Sequence, residues 1–310
     1  MQQLTIGTRG SALALAQTEL VKAALIAAYP TLTVHLSIIK TEGDRKQGTP
    51  LAAQSDKKDW IIDLERALLA GEIDLAVHSG KDVPAELEPG TEIRSILKRA
   101  NPFDVFIGKR QANGSRISFA DLPQGAIIGT ASLRRRASLI SYRNDFALRD
   151  HRGNVPTRLQ KLDDSPDLSG IVLAAAGLER LALPDLNYEI IDRSIMLPAM
   201  NQGALAAQLR CSDERVAKLI SSISDRHTAA EFSAERAVSE VLGGDCHSAI
   251  SIFAEARDET IAVSSRVFAK DNSRFISHSA RGPIAQATQI GKQVAHEILE
   301  RGGAAILGCS

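Results

Sequence analysis

The sequence predicts an α/β protein with a smaller C-terminal α+β unit, and three observations support this fold class. Short β-branched runs alternate with longer amphipathic segments in the chain before Pro198, as strands and helices do in α/β domains. The triplet IGT at 6–8 recurs at 128–130, each time followed by a serine and a helical pattern. From Thr228 onward, strand patterns follow one another between two helices. A three-residue match can also arise by chance. The repeat therefore has two interpretations, a duplication of the α/β half or a coincidence.

The first half carries strand and helix patterns in regular alternation. Strands are predicted at 4–7, 33–40, 73–79 and near 93–97, and helices at 11–29 and 59–70. The first helix follows from Leu13, Ala16 and Leu20, which recur at helical spacing. The strand at 73–79 is nearly continuous in apolar residues, which is typical of a buried strand. The turn-prone NPFD at 101–104 then marks a crossover into the second half.

The second half repeats this order, whereas the C-terminal part changes it. Strands are predicted from DVFIGK at 104–109, at 126–130, near 146–149 and at 170–177, with helices at 132–143 and 155–162 and a helical turn reaching Leu181. A helix at 228–241 precedes strands at 249–256, 260–269 and 274–280, and a helix at 285–301 follows them. Two facing α/β halves would place their strand ends at one cleft, where open sheets bind ligands.

Composition narrows the class of protein. The 310 residues carry 37 basic and 37 acidic side chains, a balance that argues against a dedicated nucleic-acid binder. No apolar run is long enough to span a membrane, and the N-terminus lacks a signal-peptide pattern. Three cysteines are too few and too scattered for a disulfide framework or a metal site. We therefore expect a cytoplasmic protein that acts on a small molecule, without a nucleic-acid or membrane partner and without a metal.

The segment 129–158 is the most informative part of the sequence, because it holds seven arginines and only two acids. Ser132 is placed to cap a helix, and its hydroxyl, the helix N-terminus, Arg134 and Arg135 together form a candidate anion site. Arg152 and Arg158 flank a second junction between strand and helix. The alternative is a solvated basic face. The ligand should be polyanionic and need not be a nucleotide, since the glycine-rich phosphate-binding motifs are absent.

Two further strand ends carry candidate residues. Arg9 and Ser11 repeat the arrangement of an arginine followed by a helix-capping serine, although a simple cap beside a surface arginine is equally consistent. Lys81 and Asp82 follow a buried strand, so that Asp82 could face a developing cation; an ordinary surface ion pair is the alternative. His78 is either a buried hydrogen-bonded residue or a catalytic one.

Two loops extend the set of candidates. The stretch at 48–59 has almost no periodicity and is interpreted as a mobile lid or as an ordinary long loop. Cys246 follows two glycines at a predicted turn, where its thiol could be exposed and reactive, although a cysteine is also often buried and inert. Cys211, expected in a helical segment, and Cys309 are interpreted as bystanders.

Taken in order, the motifs resemble one family. The chain contains RGSALALAQ, KTEGD, DLAVHSGKDVP, GTASLRRR, RGNVPTRL, LAAAGLERL, PAMNQGAL and LGGDC, in the order found in porphobilinogen deaminases (hydroxymethylbilane synthases). The resemblance runs from Arg9 to Cys246. It implies two periplasmic-binding-protein-like α/β domains around a cleft and a small C-terminal domain. It also implies the condensation of four porphobilinogens into hydroxymethylbilane, with release of ammonia, in tetrapyrrole (haem) biosynthesis.

The resemblance also implies site residues and domain limits. The cofactor would be a dipyrromethane bound through a thioether to Cys246, with Asp82 and its neighbour Lys81 as the catalytic residues. The side chains expected to bind the acetate and propionate groups are Arg9, Ser11, Lys81, Ser132, Arg134, Arg135, Arg152 and Arg158. Domain 1 would comprise 1–98 with 201–221, domain 2 would comprise 102–198, and domain 3 would comprise 225–310. We expect a monomer.

The chain departs from the family pattern at a few positions. Ser55 to Trp60 replaces a glycine-rich run, and Trp60 stands where an aromatic residue can cover the cofactor. Gly80 stands where methionine is common, Asp245 stands where a small residue precedes the cysteine, and Gln208 replaces an acid. Asp245 should raise the pKa of the Cys246 thiol and slow cofactor attachment. Two alternatives are a non-catalytic periplasmic-binding-protein-like anion-binding module and a paralogue that has lost turnover.

Overall fold

The computed structural model describes residues 3–46, 58–183, 186–243, 249–272 and 274–307. Its strands are β1 (Gln3–Thr8), β2 (Thr33–Ile38), β3 (Leu75–Ser79), β4 (Thr91–Ile96), β5 (Asp104–Gly108), β6 (Ile127–Gly129), β7 (Ala147–Arg149), β8 (Gly170–Ala174), β9 (Glu189–Ile190), β10 (Leu205–Arg210), β11 (Ile250–Arg257), β12 (Thr260–Phe268) and β13 (Phe275–Pro283). Its helices are α1 (Ala12–Ala28), α2 (Glu42–Lys46), α3 (Ile62–Leu69), α4 (Leu133–Tyr142), α5 (Val155–Asp164), α6 (Ala175–Arg180), α7 (Glu214–Ser222), α8 (Arg226–Leu242), α9 (Ala287–Ile298) and α10 (Ala304–Leu307).

The two α/β halves have one strand order in common. The first sheet runs β2-β1-β3-β10-β4 and the second runs β7-β6-β8-β5-β9. In each sheet the second strand is parallel to both of its neighbours, and the fourth strand is antiparallel to both of its own. The IGT triplets at 6–8 and 128–130 therefore lie at or beside the ends of equivalent strands, β1 and β6. The predicted fold class, two α/β units followed by a smaller α+β unit, is confirmed.

The chain crosses between the two sheets twice, and the crossovers touch. Strand β10 follows the whole second sheet in sequence, yet it lies between β3 and β4 of the first. Ala100 N donates to Gly203 O at 3.2 Å. A side chain at Gly203 would come within 2.5 Å of Ala100 O, and φ is +87° there, so the close approach requires glycine. The crossovers thus form a paired connection between the two sheets.

Each sheet buries apolar side chains against its helices, as its sequence pattern predicts. Leu4 and Ile6 of β1 pack with Val21 and Leu25 of α1 in the core of the first sheet. Val105 and Ile107 of β5 pack on one face of the second sheet, and Phe106 packs on the other. This alternation follows the two-residue period of a strand. The cores hold the strand ends in fixed positions, which is what a binding site at those ends requires.

The C-terminal unit is a meander of β11, β12 and β13 with α8 and α9 packed on one face. Arg99, in the first crossover, connects this unit to the rest of the molecule. Its Nη1 donates to Glu235 Oε1 of α8 at 2.7 Å, and its Nε donates to Gln202 O at 2.9 Å. Arg99 and Glu235 are both buried, so this ion pair is shielded from water.

Two local expectations differ from the structure. The strand expected at 170–177 ends at Ala174, because the alanine-rich residues after it form α6. Cys211 is not in a helix: it directly follows β10, whose apolar residues are buried between two strands. The closing helix expected at 285–301 agrees with the structure: a 3₁₀ turn at Ile284–Gln286 leads into α9, a π-helical turn at Leu299–Gly303 continues it, and Gly302, with φ +100°, interrupts the helical run. Within the described ranges, no helix has the length and apolar character needed to cross a membrane.

Candidate active site

The predicted site residues follow the carboxyl ends of parallel strands. In the first sheet β1 and β3 are parallel, so that Arg9 and the turn Gly80–Asp82 lie at the same edge. In the second sheet β6 and β7 are parallel, so that the segments 130–135 and 150–158 also share an edge. These are the edges at which open α/β sheets bind ligands.

Lys81 and Asp82 occupy a tight turn at the end of β3. Gly80 N donates to Ala204 O at 2.9 Å, which ties this turn to the segment that leads into β10. Asp82 is exposed, whereas Lys81 is partly covered. Burial lowers the pKa of the Lys81 ammonium to about 8, and Asp82 opposes this shift while Arg135 adds to it. The turn therefore presents an accessible carboxylate, that of Asp82. Beside it lies Lys81, whose positive charge is only partly balanced by nearby acids.

Arg9 is held by two partners that the sequence did not reveal. Its Nη2 lies 2.5 Å from Asp44 Oδ1, and its guanidinium lies 4.2 Å from the centre of the Trp60 ring. Trp60 in turn packs against Gly43, where a side chain would clash with the ring. Ser11 caps α1 by accepting a hydrogen bond from Ala14 N at 3.3 Å. Arg9 is thus not a free surface arginine, and the serine is the predicted cap.

Arg134 and Arg135 are buried and share one carboxylate. Arg134 Nη1 donates to Asp104 Oδ2 at 2.8 Å, and Arg135 Nε donates to Asp104 Oδ1 at 2.9 Å. Burial raises the pKa of Asp104, but the two guanidinium groups outweigh it and hold the pKa well below its usual range. Ser132 caps α4 by accepting from Arg135 N at 3.5 Å. Two positive charges against one negative charge leave this cluster cationic.

Arg152 and Arg158 lie at the second junction, around the N-terminus of α5. Asn154 caps this helix by accepting from Thr157 N at 2.9 Å. Arg158 Nε donates to Gly153 O at 2.7 Å. Burial is the main cause that lowers the pKa of Arg158 to about 10; Arg135 and Arg152 contribute to this shift, and Asp82 opposes it. Arg152 is exposed and lies 3.7 Å from Asp150. Both arginines adjoin a helix N-terminus that also favours anions.

The remaining arginines of 129–158 fit the interpretation as a solvated face. Each pairs with an acid that is at least partly exposed: Arg136 with Asp150, Arg143 with Asp145, and Arg149 with Asp167. Pairs of this kind contribute little to stability. These three arginines therefore belong to a solvated basic face, and an anion site at the other arginines remains a prediction.

The two edges are close enough to act on each other electrostatically. Burial has the largest effect on the pKa of Lys81, followed by the charges of Asp82, Arg135, Asp104 and Arg134. The last three of these residues belong to the second α/β unit. Gln202 lies in the second crossover, just before β10, and donates to Asp104 Oδ1 at 3.1 Å. The residues gathered in this way carry more positive than negative charge in a partly buried setting. Such a cleft suits a ligand with several carboxylates.

Asp104 and Gln202 belong to this region, and Arg180 holds the adjacent crossover; none of the three was predicted. Asp104 begins a strand that is buried along its length, and a buried acid needs a charged partner; that was the available signal. Arg180 Nη2 donates to Gly203 O at 2.6 Å, and burial lowers its pKa to about 10. Cys246, Asp245 and Cys309 lie outside the described residues, as does most of the predicted lid at 48–59.

The two α/β units place cationic strand ends near one another, an arrangement that suits a polycarboxylate ligand. A family model described as porphobilinogen deaminase, dipyromethane cofactor binding domain, matches residues 4–218. A second, described as porphobilinogen deaminase, C-terminal domain, matches residues 229–300. The chain belongs to the porphobilinogen deaminase family.

Individual relatives match along almost their whole length. Porphobilinogen deaminase of Syntrophotalea carbinolica is 42% identical over 98% of this chain and 95% of that protein. The proteins of the same name from Deinococcus radiodurans and Syntrophomonas wolfei are 40% and 39% identical, each over 99% of this chain and 98% of the relative.

Proposed function

We propose that this chain condenses four porphobilinogen molecules head to tail into hydroxymethylbilane, with release of ammonia, in tetrapyrrole biosynthesis. Its family membership makes it an enzyme of this class with a dipyrromethane cofactor. The observation that carries the assignment of the site is the exposed Asp82 carboxylate at the edge of a strongly cationic cleft. The substrate carries two carboxylates and forms a cation as it reacts, so it needs both features.

The residues present fit a dipyrromethane. That group carries acetate and propionate side chains. The cleft offers cations whose charge is not fully balanced by nearby acids. Lys81 and Arg158 both have a lowered pKa, because each is partly removed from water and lies near other cations. When bound, the dipyrromethane supplies the pyrrole carbon to which substrate units are added. We propose that Cys246 holds it covalently.

The side chains proposed to bind the carboxylates differ in accessibility. Arg152 and Lys81 are at least partly exposed, whereas Arg134 and Arg135 are buried on Asp104. We infer that the two buried arginines contribute through their positive charge and through their hold on α4. The full set proposed for carboxylate binding is Arg9, Ser11, Lys81, Ser132, Arg134, Arg135, Arg152 and Arg158.

Asp82 is the proposed catalytic residue. In each addition the bond between the aminomethyl carbon and nitrogen of the substrate breaks, ammonia leaves, and a carbon–carbon bond to the preceding pyrrole forms. The substrate passes through a cation, which a fixed carboxylate stabilises most in the transition state. The carboxylate can then accept the proton that the attacked ring carbon loses. Lys81, beside Asp82, would orient the substrate carboxylates.

Replacing Asp82 with asparagine tests this role. Asp82→Asn keeps the shape of the side chain but removes its charge, so we expect kcat to fall by about 100-fold or more. Glu86→Gln removes an exposed carboxylate four residues further along and should leave kcat unchanged. Hydroxymethylbilane formation with purified variants gives kcat directly. An Asp82→Asn variant with nearly normal turnover would show that the catalytic carboxylate lies elsewhere.

Further properties belong to the same proposal. We propose a cytoplasmic monomer that acts on a small molecule and has no nucleic-acid or membrane partner. We also propose the division into domains at 1–98 with 201–221, 102–198 and 225–310. The position of β10 in the first sheet supports this division. The non-catalytic anion-binding module is not favoured, because the models of both enzyme domains match the chain.

A further inference from the structure

A chain of buried hydrogen bonds runs beneath the catalytic turn. Gln208 of β10 is fully buried, and its Nε2 donates to Glu65 Oε1 at 2.8 Å and to Thr91 Oγ1 at 2.9 Å. Its Oε1 lies 3.1 Å from Nε2 of His78, a residue of β3. The chain therefore connects α3, through the middle of the first sheet, to the strand that ends at the catalytic turn.

The partners of Gln208 fix the direction of every hydrogen bond. Glu65 Oε1 also accepts a hydrogen bond from Glu88 N at 3.2 Å, so it is an acceptor and the amide nitrogen of Gln208 must face it. Thr91 donates its own hydroxyl proton to Glu88 O at 2.8 Å, so it accepts from Gln208 as well. Both amide protons are then used, and Oε1 can only accept. It follows that the Nε2 atom of His78 carries a proton and donates it to Gln208.

The surroundings also keep this ring neutral. His78 is buried, and burial lowers its pKa to about 4, against opposing contributions from the Gln208 hydrogen bond and from Asp82. The charged groups that act on the ring are Asp82, at the turn after β3, and Arg9, after β1. Glu65 lies one hydrogen bond further away, beyond Gln208. At neutral pH the imidazole therefore has one proton, on Nε2.

We propose that His78 is a positioning residue: Gln208 holds it as a neutral hydrogen-bond donor at the base of the turn that carries Asp82. The inference rests on the proposed catalytic function of Asp82. An imidazolium four residues before Asp82 would be a second cation that competes with the reacting substrate for its carboxylate. A neutral donor orients the end of β3 without that competition. His78 thus acts through Asp82 and transfers no proton itself.

The hydrogen-bond assignment can be tested on the unmodified holoenzyme. Long-range proton–nitrogen NMR spectra of protein with ¹⁵N-labelled histidine distinguish the two neutral tautomers and the imidazolium. His78→Gln identifies the signals of His78 among those of the seven histidines. We expect the tautomer protonated on Nε2, without titration between about pH 5.5 and 8.5. A tautomer protonated on Nδ1, or titration within that range, would overturn the proposal. This result does not depend on turnover, so it stands apart from the test of the proposed function.

Kinetics then separate positioning from proton transfer. In His78→Gln a neutral amide can replace the donor, so we expect kcat within about threefold of the wild type. In His78→Met the donor is lost and Gln208 Oε1 is left unpaired, and we expect about a tenfold lower kcat. The exposed His35→Gln serves as the control. The pH profiles of kcat for wild type and His78→Gln should coincide. A loss of about 100-fold in His78→Gln, or a limb of the profile that disappears with it, would show proton transfer by His78 and overturn the inference.

Discussion

Asp104, at the start of β5, accepts a hydrogen bond of 2.8 Å from Arg134 on α4, and both side chains are buried. The same carboxylate also accepts from Arg135 and from Gln202. One acid therefore holds the N-terminus of α4, the second sheet and the crossover segment together behind the cleft. Its single negative charge balances only one of the two arginine charges. A net positive charge therefore remains for a ligand.

Removing the charge of Asp104 should destabilise the fold. Asp104→Asn leaves two buried guanidinium groups without a counter-charge, and we expect the free energy of unfolding to fall by about 3–5 kcal/mol. Asp150→Asn removes the partner of Arg136 at an exposed position and should cost less than about 1 kcal/mol. Chemical denaturation at pH 7 measures both. Equal effects of the two substitutions would contradict the structural role assigned to Asp104.

The pH dependence of this effect has a definite sign. The folded-state pKa of Asp104 lies well below its usual range, because Arg134 and Arg135 outweigh the effect of burial. The stabilisation is therefore fully present above the pKa of the unfolded chain, about 3.9, and is lost as the pH falls below it. The difference between wild type and Asp104→Asn should shrink on acidification. A difference that stays constant from neutral pH to about pH 3 would contradict this account.

The charge of Lys81 should destabilise the fold, whereas the charge of Asp104 stabilises it. Burial lowers its folded-state pKa from 10.5 to about 8, so between these pH values the unfolded chain binds more protons than the folded one. Relative to Lys81→Met, the free energy of unfolding of the wild type should rise by about 2–3 kcal/mol from pH 8 to pH 10.5. Lys292→Met on α9, where the side chain is exposed, is the matched control. The measurement belongs in a Cys246→Ser background, so that bound carboxylates do not pair with Lys81. Parallel pH curves for wild type and Lys81→Met would contradict the assigned environment.

The pair formed by Arg99 and Glu235 should couple the C-terminal unit to the crossover. Burial raises the pKa of Glu235, and Arg99 opposes that shift. Either Arg99→Met or Glu235→Gln alone should cost about 3–5 kcal/mol, because each leaves a buried polar partner. The double variant should cost less than the sum of the two. Hydrogen exchange should show the first loss of protection in α8 and β11. Strict additivity, or uniform loss of protection over all three sheets, would contradict this coupling. The exposed pair Arg226 and Glu259 provides the control, with about 0–1 kcal/mol expected.

Local features of the fold were predictable from the sequence. Ser11 and Ser132 were expected as helix caps because capping depends on residues within one turn, and both make the expected bond. The strands were located from apolar periodicity, which reports burial directly. Cys211 was placed wrongly, because its apolar, alanine-containing neighbourhood suits a helix as well as a strand.

Long-range partners were not predictable, for a physical reason. Asp104 meets Arg134 across 30 residues, Arg99 meets Glu235 across 136, and Gln208 meets Glu65 across 143. Nothing in the local pattern of either partner indicates the other, because the sheet topology brings them together. Arg9 was expected to be available to a ligand, and its pairing with Asp44 depends on the packing of α2. The attachment role of Cys246 remains a prediction.

The central claim is that this chain assembles pyrroles on a covalent dipyrromethane, and intact-protein mass of the purified recombinant chain tests it most directly. We predict an excess equal to two porphobilinogens less two ammonias, which peptide mapping locates on the peptide that contains Cys246. Cys246→Ser should lack this excess and still fold. A wild-type mass that matches the bare sequence, unchanged after incubation with porphobilinogen, would contradict the account.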